Sequence, residues 1–124
     1  MTTIVFFGSR TVTDQAIADR LLDRAHAHWP DATFLSGGAA GADTLMIRWA
    51  TAHDIPHRVM PAEWKRFGRS AGMRRNEQMA AEGDVFIGIS HNNSPGTAHM
   101  ANTVRALGKT LYLATLDNDG QLHF

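Results

Sequence analysis

Cysteine is absent from the 124 residues. Disulfides, zinc–thiolate sites and thiol nucleophiles are therefore excluded. Neither sign of charge is in excess: Lys+Arg and Asp+Glu both number 12, for a formal net charge of zero. That balance argues against broad, non-specific attraction to nucleic acid or to a membrane surface, although a local anion pocket remains open. It also leaves little colloidal repulsion to oppose self-association. No apolar run approaches the ~20 residues needed to span a bilayer, so no membrane partner is expected. The opening residues, Met1 to Phe7, lack the basic segment and cleavage site of a secretory signal, and a cytoplasmic location is the expectation. Linkers, low-complexity tracts and internal repeats are also missing. This leaves one domain over residues 1–124, long enough to bury a core of its own.

What is present is an alternation of strand-like and helix-like segments. Thr3–Phe7, Ala32–Leu35, His57–Met60, Asp84–Ile89 and Thr110–Leu116 read as strands. Between them lie helical patterns: one capped by Thr13 or Asp14 and ending near Trp29-Pro30-Asp31, one over 42–53, stopped by Pro56, one over 73–82, and one over 97–107, stopped by Gly108. Trp64–Gly72 reads as an irregular basic loop, and Gln121–Phe124 as the return arm of a hairpin after Asp117–Gly120. The expected fold is α/β: a Rossmann-like three-layer sandwich of about five mostly parallel strands with helices on both faces.

Open parallel sheets bind ligands beyond the carboxyl ends of their strands. Three strand exits carry suggestive residues. The first is Gly8-Ser9-Arg10: a close backbone approach, a hydroxyl and a forked cation suited to phosphate or carboxylate. The second is Ser36-Gly37-Gly38-Ala39-Ala40-Gly41-Ala42-Asp43, whose glycines would let backbone N–H groups wrap an anion at a helix N-terminus, with Asp43 placed to accept from ribose hydroxyls or merely to complement the helix dipole. The third is Ser94-Pro95-Gly96-Thr97, either a phosphate seat or a plain helix start capped by Ser94. Arg69, Arg74, Arg75 and Asn76 could clamp a phosphate or form a solvated face, and Trp64 could stack on a base or pack on a loop. His91 and His99 flank the same region. A Walker A loop and a full GxGxxG are both absent, so no cofactor is expected. No metal is expected either, because HExxH is missing and His26 and His28 diverge on a helix. No paired carboxylates or Ser-His-Asp set stands out.

Taken in order, Gly8-Ser9-Arg10, Ser36–Asp43, the Trp64 segment, Gly72…Arg75-Asn76 and Ser94-Pro95-Gly96-Thr97 resemble the YspA-like branch of the SLOG superfamily, which also holds the LOG phosphoribohydrolases and DprA. The resemblance spans residues 3–115. It implies a Rossmann-like sheet, a nucleotide-type small molecule in the cleft and a homodimer or higher homo-oligomer. The ligand-binding residues it implies are Gly8, Ser9, Arg10, Ser36, Gly37, Gly38, Gly41, Asp43, Trp64, Arg75, Asn76, Ser94, Gly96 and Thr97. LOG enzymes cleave nucleoside monophosphates with an Arg and a PGGxGTxxE loop. Arg75 and Gly96-Thr97 match that signature, but Met100 stands at the Glu position. Cleavage of the N-glycosidic bond develops positive charge on the ribose, and losing the carboxylate that stabilises it costs several kcal/mol.

Three functions follow. The first is a sensor, carrier or sponge that binds a nucleotide without ordinary LOG turnover. The second is a phosphoribohydrolase with a displaced acid, its catalytic pair being Arg75 and Glu77. The third is a DprA-like DNA-binding module resting on Arg66, Arg69, Arg74 and Arg75.

Overall fold

The β-branched and aromatic run at the start of the chain forms β1 (Thr3–Gly8), in which Ile4, Val5, Phe6 and Phe7 are all buried. Side chains alternate across a strand, so such a run needs apolar cover on both faces. In the computed structural model, which describes residues 2–124, β1 has that cover. It lies between β2 (Thr33–Ser36) and β4 (Val85–Ser90), parallel to both. β3 (His57–Val59) flanks β2 and β5 (Thr110–Leu116) flanks β4, again in parallel. β6 (Leu122–His123) returns antiparallel on β5, giving the order β3-β2-β1-β4-β5-β6. The expected parallel sheet and terminal hairpin are both present, and the hairpin arm makes the sixth strand.

Among the described residues, five α-helices connect the strands: α1 (Gln15–His28), α2 (Ala42–Ala52), α3 (Trp64–Phe67), α4 (Ala71–Glu82) and α5 (Pro95–Ala106). On one face Ile4, Phe6, Phe34, Ile87 and Ile89 meet Leu22 of α1 and Leu45, Met46 and Trp49 of α2. On the other, Val5, Phe7, Leu35 and Phe86 meet Met79 of α4 and Met100 and Val104 of α5. Each fully buried side chain of this size stabilises the fold by about 1.5–3 kcal/mol. Two helix starts follow their sequence signals. Asp14 accepts from Ala16 N at 3.0 Å ahead of α1, and Ser94 caps α5 ahead of Pro95. Among the described residues no helix is long and apolar enough to cross a membrane.

One segment departs from the sequence expectation. Trp64–Ser70 is not an irregular loop: α3 is one helical turn, and a 3₁₀ turn over Gly68–Ser70 leads directly into α4. Tertiary contacts hold it. The Arg66 and Arg74 guanidiniums lie 4.8 and 4.4 Å from the centre of the Phe67 ring. Ser70 Oγ donates to Phe67 O and accepts from Arg74 Nε, both at 3.0 Å.

The chain runs outward from β1 through β2 to β3, then crosses back to β4 on the other side of β1. The exits of β1 and β4 therefore diverge, one towards α1 and the other towards α5. That switch point is where an open α/β sheet leaves a crevice.

Candidate functional site

A cleft of about 470 Å³ opens at this switch point. Its floor is built from hydroxyls. Ser9 is 2% exposed; its N–H donates to Ile89 O at 3.0 Å and its Oγ accepts from His91 N at 2.8 Å. Ser9 Oγ also lies 3.4 Å from Thr97 Oγ1, which donates to Ser94 Oγ at 3.1 Å. The exits of β1 and β4 are thus stitched together beneath the first turn of α5. Gly8 is glycine for packing: a Cβ there would sit 2.6 Å from Ile89 O and 2.7 Å from Ala42 Cβ. Gly96, in contrast, has open space around the position a Cβ would take. The first turn of α5 borders the cleft with its positive dipole end.

The opposite wall is held by α4. Arg75 Nη1 donates to Gly37 O at 2.7 Å and its Nε to Asn76 Oδ1 at 3.3 Å. Asn76 Nδ2 in turn donates to Gly96 O at 3.3 Å and lies 3.3 Å from His99 Nδ1. Arg10 and Arg69 also line the cleft, and both are exposed. Trp64, 53% exposed, and Met73 stand at its rim. Asp43 is the one carboxylate among the lining residues. Burial pushes its pKa up to about 6, and this outweighs the opposing effects of the Ala39 N–H bond, the Arg75 charge, the Gly37 N–H bond and the Arg10 charge. Burial likewise lowers the pKa of Arg75, against the pull of Asp43 and along with the push of Arg10.

The cleft brings together Gly8, Ser9, Arg10, Asp43, Trp64, Arg75, Asn76, Ser94, Gly96 and Thr97, as the sequence suggested. Five other candidates lie outside its lining. Ser36 is fully buried at the end of β2, and its Oγ has no hydrogen-bond partner among the described residues. Gly37 packs so tightly on the Arg75 guanidinium that a Cβ would overlap it. Gly38 and Gly41 have φ of +74° and +81°, and a Cβ would meet Val59 and the Ser9–Arg10 backbone respectively. Glu77 is exposed on α4: one helical step beyond the inward Asn76, it turns away from the cleft. Two of the glycine-loop amides are not free either. Gly37 N and Ala39 N donate to Asp43 Oδ2 at 3.1 and 3.2 Å, so the carboxylate serves the loop that was expected to serve a ligand.

The sequence reading did not single out Thr11, whose Oγ1 lies 2.6 Å from His91 Nδ1 on the cleft edge. Nor did it single out Asn92, which lines the cleft in the left-handed region at φ +57°. The adjacent Asn92-Asn93 pair ahead of Ser94-Pro95 was the available signal, since Asn tolerates that backbone. Another concavity, of about 410 Å³, lies over β4 and β5 beside α1. Leu21, Trp29, Ile87 and Tyr112 line it together with Arg24 and His28, and it includes none of the strand-exit motifs. Among the described residues no three His, Asp or Glu side chains gather as metal ligands would.

Comparison with known proteins gives this arrangement a lineage. The model of the YspA, cpYpsA-related SLOG family matches residues 2–67. The chain belongs to that family. Residues 2–67 carry the β1 exit, the glycine loop and the start of the Trp64 segment, so the match includes part of the cleft lining. Over 115 residues this SLOG protein is 30% identical to the Gene 61 protein of Mycobacterium phage D29, covering 87% of this chain and 92% of that one. Its fold is similar to that of DNA processing protein A from Helicobacter pylori, a protein described for its single-stranded DNA binding mode, with a TM-score of 0.62 at 17% identity. That likeness covers 90% of this chain but 64% of the other, and at such identity it speaks for the fold.

Proposed function

We propose that the cleft binds a small, anionic, nucleotide-type ligand and holds it without turnover. The observation that carries this reading is the charge of the lining. Three guanidiniums, Arg10, Arg69 and Arg75, face a cleft whose one carboxylate is already hydrogen-bonded to its own loop. Neither Arg10 nor Arg69 forms a salt bridge among the described residues. Arg presents a planar fork that matches phosphate oxygens, and the first turn of α5 adds a dipole of the same sign. Trp64 on the rim offers an aromatic face to a base. Two features argue against LOG-type cleavage. Met100, 1% exposed, stands where that signature places a glutamate, and Glu77 points elsewhere.

Calorimetry and thermal unfolding against nucleoside mono-, di- and triphosphates and ADP-ribose test the reading. Ligand at about a hundred times its Kd should stabilise the fold by ~2.7 kcal/mol, a rise of several degrees in Tm. Arg10→Ala should abolish most of that response while the fold survives. No response to any nucleotide would refute the assignment.

A second reading rests on a different feature. Between Trp64 and Asn76 the chain places Lys65, Arg66, Arg69, Arg74 and Arg75 with no acidic residue among them. Exposed Trp64 and Met73 share that ridge with them. Cations interleaved with an exposed aromatic suit a single nucleic-acid strand, the ligand of the Helicobacter pylori protein of similar fold. Fluorescence anisotropy with short single-stranded oligonucleotides separates the two readings. Strand binding should weaken with salt at a slope of about −0.7 per phosphate contact, and oligonucleotides should outcompete mononucleotides.

A further inference from the structure

The Gly37 peptide is gripped from both sides. Its N–H donates to Asp43 Oδ2 at 3.1 Å, and its carbonyl accepts from Arg75 Nη1 at 2.7 Å. Ala39 N–H donates to the same Asp43 oxygen at 3.2 Å. Backbone N–H groups converging on one oxygen make the concave anion seat that glycine-rich loops offer to phosphates. Here the anion in the seat is the chain's own carboxylate. Asp43 is 5% exposed and lines the cleft, so its charge is poorly hydrated and lies where a ligand's charge arrives. The charged groups acting on it are Arg75 from α4 and Arg10 from the β1–α1 connection. The loop over Gly37–Ala39 contributes amides only. From the β4–α5 side, the titratable His91 lines the same cleft and His99 touches Asn76.

We propose that the cleft takes up its anionic ligand together with a proton, and that the proton goes to Asp43. This inference rests on the nucleotide-type reading above. Arg75 and Arg10 are shared between Asp43 and any ligand anion. Once the anion engages them, Asp43 loses part of the charge that helps keep it ionised. At the same time a like charge enters its poorly hydrated surroundings. Both effects favour the neutral carboxyl. Burial has already brought this group to about 6, so protonating it near neutral pH is easy. The neutral carboxyl retains a carbonyl oxygen for the Gly37 and Ala39 amides, so the loop need not come apart. The coupling is reciprocal: a ligand that raises the proton affinity of Asp43 binds more tightly as pH falls.

ADP-ribose is the probe, because its pyrophosphate diester charges do not titrate in the window used. If the ligand raises the Asp43 pKa by about one unit, affinity should fall roughly five- to tenfold between about pH 5.5 and 7.5, with uptake of about half a proton per ligand near pH 6.5. Titration calorimetry in two buffers of different ionisation enthalpy reads that proton directly on the wild-type protein. Asp43→Asn keeps an oxygen for the loop amides and should flatten the pH profile, whereas His91→Gln should retain it. A flat wild-type profile with no proton uptake overturns the proposal while leaving the nucleotide reading intact, and so does an unchanged slope in Asp43→Asn. If that variant does not fold, the proton count in His91→Gln and His99→Gln decides: uptake that persists in both supports Asp43, and uptake lost in either overturns the assignment. Failure of ADP-ribose and every other nucleotide to bind at any pH overturns both.

Discussion

Alanine at Gly41 and alanine at Gly96 add the same methyl group, yet the two are expected to fail in opposite ways. Gly41 sits at φ +81° and ψ −131°, immediately before α2. That region is open essentially to glycine alone, and forcing another residue into it costs about 1–3 kcal/mol. A Cβ there would also press on Ser9 O and lie 2.6 Å from the Arg10 Cα. These are backbone atoms, which cannot swing aside as a side-chain tip can, and overpacking of this kind adds about 1–3 kcal/mol. One shift of the loop relieves part of both, so the sum is about 2–5 kcal/mol. For a domain of this size that lowers Tm by roughly 10–20 °C. Gly96 occupies the first turn of α5 with nothing within 4 Å of the added carbon. Alanine is the better helix former by up to ~1 kcal/mol, so Tm should hold or rise. The methyl would instead keep an anion off the first-turn amides, lowering nucleotide affinity by roughly tenfold, or ~1.4 kcal/mol. Thermal unfolding and calorimetry on the two variants settle the matter. A Gly41→Ala protein melting within a few degrees of wild type would refute the backbone argument. A Gly96→Ala protein with undiminished affinity would move the anion seat away from α5.

Asp43 should also leave its mark on stability. Because its carboxyl titrates at about 6 in the fold rather than 3.8, the folded chain holds the proton longer. Its stabilising contribution is therefore complete below the unfolded value and is lost as pH rises through about 6, by about 3 kcal/mol in all. Urea unfolding of wild type and Asp43→Asn across that window should show the difference shrink to nothing if the carboxyl is not buried as described. Lys109 Nζ donates to Ala80 O, Ala81 O and Gly83 O at 2.8, 2.9 and 2.9 Å, closing the end of α4. Lys109→Met should cost about 1–3 kcal/mol in chemical denaturation, and a loss under 0.5 kcal/mol would mean that water replaces the ammonium freely. Trp64→Ala should weaken nucleotide binding by about 1–3 kcal/mol with Tm nearly unchanged, since its ring is half exposed. Equal affinity in calorimetry would place the base elsewhere.

Much of the fold was legible because local signals and tertiary needs agree. The strand-like runs each end in small or special residues. Asp14 and Ser94-Pro95 open helices as their side chains and rings require, and Pro56 and Gly108 follow helix ends. Trp64–Ser70 was illegible for a physical reason. Two single turns carry no periodicity, and what holds them is Phe67 under two guanidiniums and the Ser70 hydroxyl between chain segments. The same divide runs through the site. Residues 8–10 and 94–97 line the cleft because they lie at the end of β1 and in the turn from β4 into α5, β1 and β4 being the strands that part at the switch point. Met73 could equally have been core by its spacing, but it is exposed on the rim, since α4 turns its Asn76, Met79 and Ala80 inward instead.

The glycine loop shows what a motif leaves undecided. A run of glycines before a helix is compatible with two uses of the missing side chains: admitting a ligand, or admitting the chain's own neighbours. Here the second use accounts for each of them. Gly37 admits Arg75, Gly38 approaches Val59, and Gly41 admits the backbone of Ser9 and Arg10. The amides such a loop exposes must still be satisfied, because a buried N–H without a partner costs about 1–3 kcal/mol. Asp43, six residues after Gly37, supplies the acceptor for two of them. An acidic residue at that spacing competes with any ligand phosphate for the same amides. The Ser36–Asp43 segment therefore shapes the wall of the cleft, and under the proposed nucleotide reading it is Arg10, Arg69, Arg75 and the start of α5 that would meet the ligand's charge.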